Sequence, residues 1–151
     1  MFRALIVDDH DEFRAKVSAV LRSRFPLVFV DEAGDGVAAL RKLRSSAPDL
    51  VLLDIKLPGV SGIELVKSIK VRPECTAVAV LTGYDLAQYR EAALRSGADC
   101  YLHKGSPSCM TDVLSWVERE ILSRQKTAQA HRLAVSRERL LPRAHLTIGK
   151  K

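Results

Sequence analysis

Four short apolar runs in this chain lead straight into side chains that could do chemistry. LIV at 5–7 meets Asp8 and Asp9, LVLL at 50–53 meets Asp54, AVAVL at 77–81 meets Thr82, and CYL at 100–102 is followed two residues on by Lys104. If these runs are strands ending at one crevice, three carboxylates meet there and repel strongly unless a cation sits among them. An all-oxygen set at a watery mouth suits a hard ion, Mg2+ being the usual one where phosphate chemistry follows and Mn2+ its alternative. A carboxylate attacking phosphorus needs its own charge and that of the phosphoryl oxygens neutralised together, which a divalent ion and one ammonium do. A hydroxyl such as that of Thr82 can then hydrogen-bond a further phosphoryl oxygen. The set reads as a phosphoryl-acceptor site.

Such a site needs strands that lie parallel and side by side. Apolar runs at 3–7, 27–30, 50–53, 77–81 and 100–102 alternate with helix-period stretches at about 11–24, 36–46, 62–71, 85–96 and 109–124. The middle three runs are continuous rather than alternating, the pattern of strands covered on both faces. In the second helix Val37, Leu40 and Leu43 recur at helical spacing while Arg41, Lys42 and Arg44 face out. Pro26 and Pro48 close two helices, Gly97 stands where a C-cap is wanted, and Ser61 and Ser108 can cap the third and last helices. The alternation predicts an α/β fold with a parallel sheet and right-handed crossovers. Five such units predict a flavodoxin-like, doubly wound (βα)5 sheet of order 2-1-3-4-5, which binds its ligands at the carboxyl ends of the strands.

At 151 residues and 47% apolar, the chain can bury the core of one domain. Its net charge of +6 is unevenly placed. Residues 124–151 carry eight basic side chains against Glu138 alone, a net of +7, leaving 1–123 at −1. That asymmetry predicts a nearly neutral domain at 1–123 and a basic tail or linker at 124–151, partly helical or disordered. No Gly or Pro interrupts 108–141, so the last helix is free to run on as a C-terminal extension. The N-terminal apolar run is too short for a signal peptide, and no stretch has the length and apolarity of a membrane span. Cys75, Cys100 and Cys109 are an odd set without CxxC spacing, which fits a reducing compartment better than disulfides or zinc. The expectation is a cytoplasmic protein without a membrane partner.

LIVDDH at 5–10, EAGDGVAAL at 32–40, DLVLLDIKLPGVSGIEL at 49–65, VLTGYD at 80–85 and GADCYLHKGS at 97–106 together resemble the receiver domain of two-component response regulators. The likeness spans residues 3 to about 122, and is nearest to receivers of regulators with helix-turn-helix output domains. It implies Asp54 as phosphoacceptor, with Asp9 and Asp54 coordinating Mg2+ directly, Asp8 partly through water, and the Lys56 backbone carbonyl as a further ligand. Lys104, Thr82 and Gly83 would contact the phosphoryl group. Thr82 and Tyr101 would form the switch, Tyr101 changing rotamer. The phosphoryl group would come from a sensor histidine kinase or a small phosphodonor. The face made by the fourth helix, fifth strand and fifth helix would then engage an output domain, a downstream protein or a second copy. This is a phosphoacceptor switch rather than an enzyme with a diffusible substrate.

Three positions depart from the family pattern. Gly105 stands where proline usually follows the lysine, Lys56 places a cation beside the site, and Gly83 leaves the pocket uncrowded. Against the switch stand two other classes. An aspartyl-phosphate hydrolase needs a second Asp two residues after the nucleophile, where this chain has Lys56. A DNA-binding fragment acting through the basic tail would have a charge footprint, but the tail lacks interleaved aromatics. His10 reads as a helix-start residue rather than a ligand, His103 as exposed, and the cysteines as small packing residues.

Overall fold

The computed structural model describes residues 1–71 and 76–140. The readings made on Cys75 and on residues 141–151 lie outside the described residues. Strands β1 (Phe2–Val7), β2 (Val28–Ala33), β3 (Leu50–Leu53), β4 (Ala77–Thr82) and β5 (Cys100–His103) alternate with helices α1 (Asp11–Arg24), α2 (Gly36–Ser46), α3 (Gly62–Ile69), α4 (Ala87–Arg95) and α5 (Cys109–Leu140). The strands form one sheet of order β2-β1-β3-β4-β5. All four pairings are parallel. The expected doubly wound topology is the one observed.

Every residue of β3 and β4 is buried, as their unbroken Val, Leu and Ala runs imply. β2 differs from its expectation. Its continuous apolar run predicts cover on both faces, yet it is an edge strand with Phe29 50% exposed and Leu27 before it 89% exposed. The strand also continues three residues further, to Ala33, because its pairing with β1 runs on to Val7↔Ala33. Leu5, Val7, Val51, Leu53, Val78 and Val80 pack with Ala39 of α2, Leu65 and Val66 of α3, and Ala93 of α4. α1 buries Val17 and Leu21, and α5 buries Val113, Trp116 and Val117. Burial at this scale contributes roughly 1.5–3 kcal/mol per large side chain.

Local chemistry sets the boundaries. The Ser61 hydroxyl accepts from the Glu64 N–H at 3.3 Å, and the Glu64 carboxylate accepts from the Ser61 N–H at 3.2 Å, a closed capping box. Asp35 caps α2 by accepting from the Ala38 N–H at 2.7 Å. Gly97 adopts φ 105°, a left-handed turn after α4 that a side chain would strain. Ser108 does not cap α5 through its hydroxyl as expected; that group donates to the Asp112 carboxylate at 2.7 Å instead.

The chain divides into two compact units, Met1–Glu120 and Ile121–Lys151. In the second, α5 continues to Leu140 with Lys126, Arg132 and Arg137 exposed. Among the described residues no helix is long and apolar enough to cross a membrane.

Candidate functional site

The sheet register brings the strand ends level. Val7 lies opposite Ala33 and Leu53, Leu53 opposite Val80, and Thr82 opposite His103. Backbone bonds carry the ladders one residue further: the Asp8 N–H donates to the Ala33 carbonyl at 3.1 Å, Asp54 to Val7 at 2.9 Å, and Lys104 to Thr82 at 2.8 Å. Three of the side chains picked out from the sequence are therefore fixed by main-chain bonds before any contact of their own.

They converge. The Lys104 ammonium lies 2.9 Å from Asp54 Oδ2 and 2.5 Å from Asp8 Oδ2. Asp8 is 2% and Asp54 5% exposed, so both carboxylates sit out of bulk water with one cation between them. Burial alone would lower the Lys104 pKa, but the hydrogen bonds to Asp8 and Asp54 outweigh it and hold the ammonium above its ordinary value. Asp54 Oδ1 is buried and has no hydrogen-bond partner among the described residues. Asp9 is exposed beside them, and its carboxylate, that of Asp8 and the His10 ring offer ligand atoms within 4.8 Å of one another. A cavity of about 460 Å³ opens here, lined by His10, Phe13, Asp54, Gly83, Tyr84 and Lys104.

The other predicted residues surround this cluster. Thr82 is fully buried, its hydroxyl oxygen accepting from the Tyr84 N–H at 3.3 Å. A Cβ on Gly83 would meet nothing within 4 Å, so the pocket is open on that side. Lys56 follows β3 in an exposed loop, with its ammonium 4.4 Å from the centre of the Tyr84 ring. Tyr101 is 8% exposed, its hydroxyl donating to the Tyr84 carbonyl and its ring 5.2 Å from the Arg90 guanidinium. No peptide bond among the described residues is cis, so Lys104–Gly105 is trans. His103 is half-buried rather than exposed, with Nε2 3.3 Å from the Gly83 carbonyl.

Sequence reasoning missed three supports. Arg14 spans the β1 end, with NH1 2.7 Å from the Asp8 carbonyl, NH2 2.7 Å from Asp11 and Nε 3.2 Å from Glu32. Gly62 presses on the acceptor loop, since a Cβ there would lie 2.1 Å from the Asp54 carbonyl oxygen. Tyr84 joins Lys56, Thr82 and Tyr101. The Asp11–Arg14 pair was readable as an i,i+3 contact on α1, whereas the arginine's bonds to the Asp8 carbonyl and to Glu32 left no local signal; the glycine's place in GVSG was a readable hint of close approach.

The donor set fits a hard divalent cation: clustered carboxylates, one with an unpartnered buried oxygen, at an open mouth. The family model for the response regulator receiver domain matches residues 4–114. The response regulator GacA of Pseudomonas viridiflava is 36% identical over 107 residues, covering 70% of this chain and 50% of the relative. The response regulator protein VraR of Staphylococcus saprophyticus is 30% identical over 146 residues, covering 95% of this chain and 68% of the relative. This chain thus spans about half the length of the GacA-type relatives it matches. The CheY-like response regulator receiver domain protein of Methanospirillum hungatei superposes with a TM-score of 0.73 at 29% identity, covering 84% of this chain and 98% of that one. With the fold, the strand-end cluster and these likenesses in agreement, the chain belongs to the response regulator receiver domain family of two-component signal transduction.

Proposed function

We propose that Asp54 is the phosphoacceptor of this receiver. The observation that carries the reading is the state of its carboxylate: one oxygen against the Lys104 ammonium at 2.9 Å, the other buried without a hydrogen-bond partner among the described residues, beside an open cavity. Asp9 and Asp54 would hold Mg2+ or Mn2+ directly, with Asp8 acting partly through water and the Lys56 carbonyl as a further ligand. Bound there, the ion would neutralise the carboxylates and the incoming phosphoryl oxygens together. Lys104 steadies the phosphoryl charge from the opposite side, and the open space at Gly83 admits the donor.

Phosphorylation adds close to two negative charges at Asp54. Lys104 and the Thr82 hydroxyl are drawn toward them. The volume that Thr82 leaves admits the Tyr101 ring, which gives up its bond to the Tyr84 carbonyl. Because Tyr101 packs on Arg90 of α4, the α4-β5-α5 face changes with it, a shift between two packings. The partners are a sensor histidine kinase upstream and an output domain, a downstream protein or a second copy on that face, in the cytoplasm. The domain boundary falls near residue 123, with the basic stretch serving as a linker.

The experiment is incubation with acetyl phosphate and Mg2+, followed by intact mass. A gain of one phosphoryl group is expected on the native chain and none on Asp54→Asn. No gain on the native chain, or an equal gain on the variant, removes the reading.

A further inference from the structure

Gly105 makes room for the ring of His103. A Cβ at Gly105 would lie 2.7 Å from His103 Cε1 and 3.2 Å from Nε2, so any side chain there would push the ring aside. The backbone of Gly105 is not left-handed, so the ring alone stands against a substitution. In the space so kept, His103 Nε2 stands 3.3 Å from the Gly83 carbonyl oxygen. A carbonyl oxygen only accepts, so Nε2 carries the proton and donates. The bond lies just past the β4–β5 ladder, which pairs Thr82 with His103 and ends with the Lys104 N–H on the Thr82 carbonyl at 2.8 Å.

The Gly83–Tyr84 peptide is thereby held at both ends. Its oxygen takes the His103 bond, and its nitrogen, the Tyr84 N–H, donates to the Thr82 hydroxyl at 3.3 Å. In a trans peptide these two groups point in opposite directions, so fixing the oxygen also aims the N–H. Little else steadies it, because Gly83 is conformationally free and a Cβ there would meet nothing within 4 Å. The aimed N–H engages the hydroxyl that a phosphoryl group on Asp54 would draw away.

We infer that His103 is a positioning residue of the switch: acting through the Gly83–Tyr84 peptide, it holds the Thr82 hydroxyl in its resting place. The inference rests on Asp54 being the phosphoacceptor and Thr82 the group drawn to it. The His103 bond favours the resting packing and opposes the phosphorylated one, and Gly105 is the condition for it. Losing the bond frees the peptide to turn, releases Thr82 and raises the share of molecules ready to be phosphorylated.

The test compares the full native chain with His103→Leu, Gly105→Ala and the double variant. Two quantities are read: amide hydrogen exchange of Tyr84 without phosphodonor, and the rate of phosphorylation by acetyl phosphate at saturating Mg2+. His103→Leu should speed both by roughly threefold, the equilibrium factor of one hydrogen bond at the lower end of its net worth. Gly105→Ala should act in the same direction by displacing the ring. The double variant should match His103→Leu alone, because both changes remove one bond. His103→Gln, whose amide can still donate, should return part of the way to native. Unchanged Tyr84 exchange in His103→Leu overturns the tie. Faster exchange with an unchanged or slower phosphorylation rate reduces the bond to a structural one and overturns the switch role. Additive effects in the double variant overturn the part given to Gly105. Faster Tyr84 exchange in a chain that takes no phosphoryl group upholds the tie and overturns the Asp54 reading instead.

Discussion

Lys104 and Asp54, 50 residues apart in the chain, meet at 2.9 Å between Nζ and Oδ2. The same ammonium reaches Asp8 at 2.5 Å, so one cation ties the ends of β1 and β3 to the residue that follows β5. Neither carboxylate has another formal charge paired with it among the described residues, and both are buried. The lysine therefore holds the resting site together as well as serving the phosphoryl group.

Lys104→Gln should lose about 3 kcal/mol of stability, because removing one partner leaves charges buried and uncompensated. Millimolar Mg2+ should recover much of that loss by supplying the missing positive charge. Urea denaturation followed by the fluorescence of Trp116, the sole and buried tryptophan, measures both effects. The Mg2+-induced rise in midpoint should be larger in the variant than in the native chain.

The raised pKa of Lys104 fixes a pH dependence. Its contribution is whole below the unfolded lysine value of 10.5 and fades as pH rises through the higher folded value. Stability should thus decline in the alkaline window above pH 10.5, and Lys104→Gln should flatten that limb. Denaturation midpoints taken across the window decide it.

Gly62 and Gly83 border the same site yet should respond oppositely to a methyl group. At Gly62 the new carbon would lie 2.1 Å from the Asp54 carbonyl oxygen and 2.7 Å from Ile55 Cα, both backbone. Gly62→Ala should cost about 3 kcal/mol, at the upper end of overpacking, and slow phosphorylation by displacing Asp54. Gly83→Ala meets nothing within 4 Å and should stay within about 0.5 kcal/mol of native stability. Thermal melts and acetyl phosphate time courses on the pair check this.

The carboxylates and Lys104 were legible in the sequence because strand ends in a parallel sheet converge, so their place in the chain implied their place in space. The capping box at Ser61 and Glu64 was half legible, from its serine. The position of β2 in the sheet was not: LVFV reads as a buried strand, and only topology makes it an edge that leaves Phe29 half exposed. The length of β2 followed from pairing with β1 rather than from its own Asp31-Glu32-Ala33, whose acids look unlike a strand. Arg14's role at the site was invisible because, beyond its i,i+3 neighbour Asp11, its partners Asp8 and Glu32 reach it only once β1, α1 and β2 have folded. Long-range bonds of this kind leave no local pattern.

Tyr101 and Tyr84 give the last expectation, one that separates chemistry from signal. The Tyr101 hydroxyl donates to the Tyr84 carbonyl, and Tyr84 is also held by Lys56 over its ring and by Thr82 at its N–H. Tyr101→Phe removes the first tie alone. The stability loss should be about 1 kcal/mol, the usual net worth of one hydrogen bond, and smaller if the 41%-exposed Tyr84 turns its carbonyl to water. The phosphorylation rate with acetyl phosphate should be unchanged, since the hydroxyl touches neither Asp54 nor Lys104. What should change is the coupling: without the tie to the Tyr84 carbonyl, the ring no longer favours its resting rotamer. The response of the α4-β5-α5 face to beryllofluoride, read as amide shifts of Arg90 and Tyr101, should then shrink because part of the change is present beforehand. An undiminished response would place the switch elsewhere than this bond.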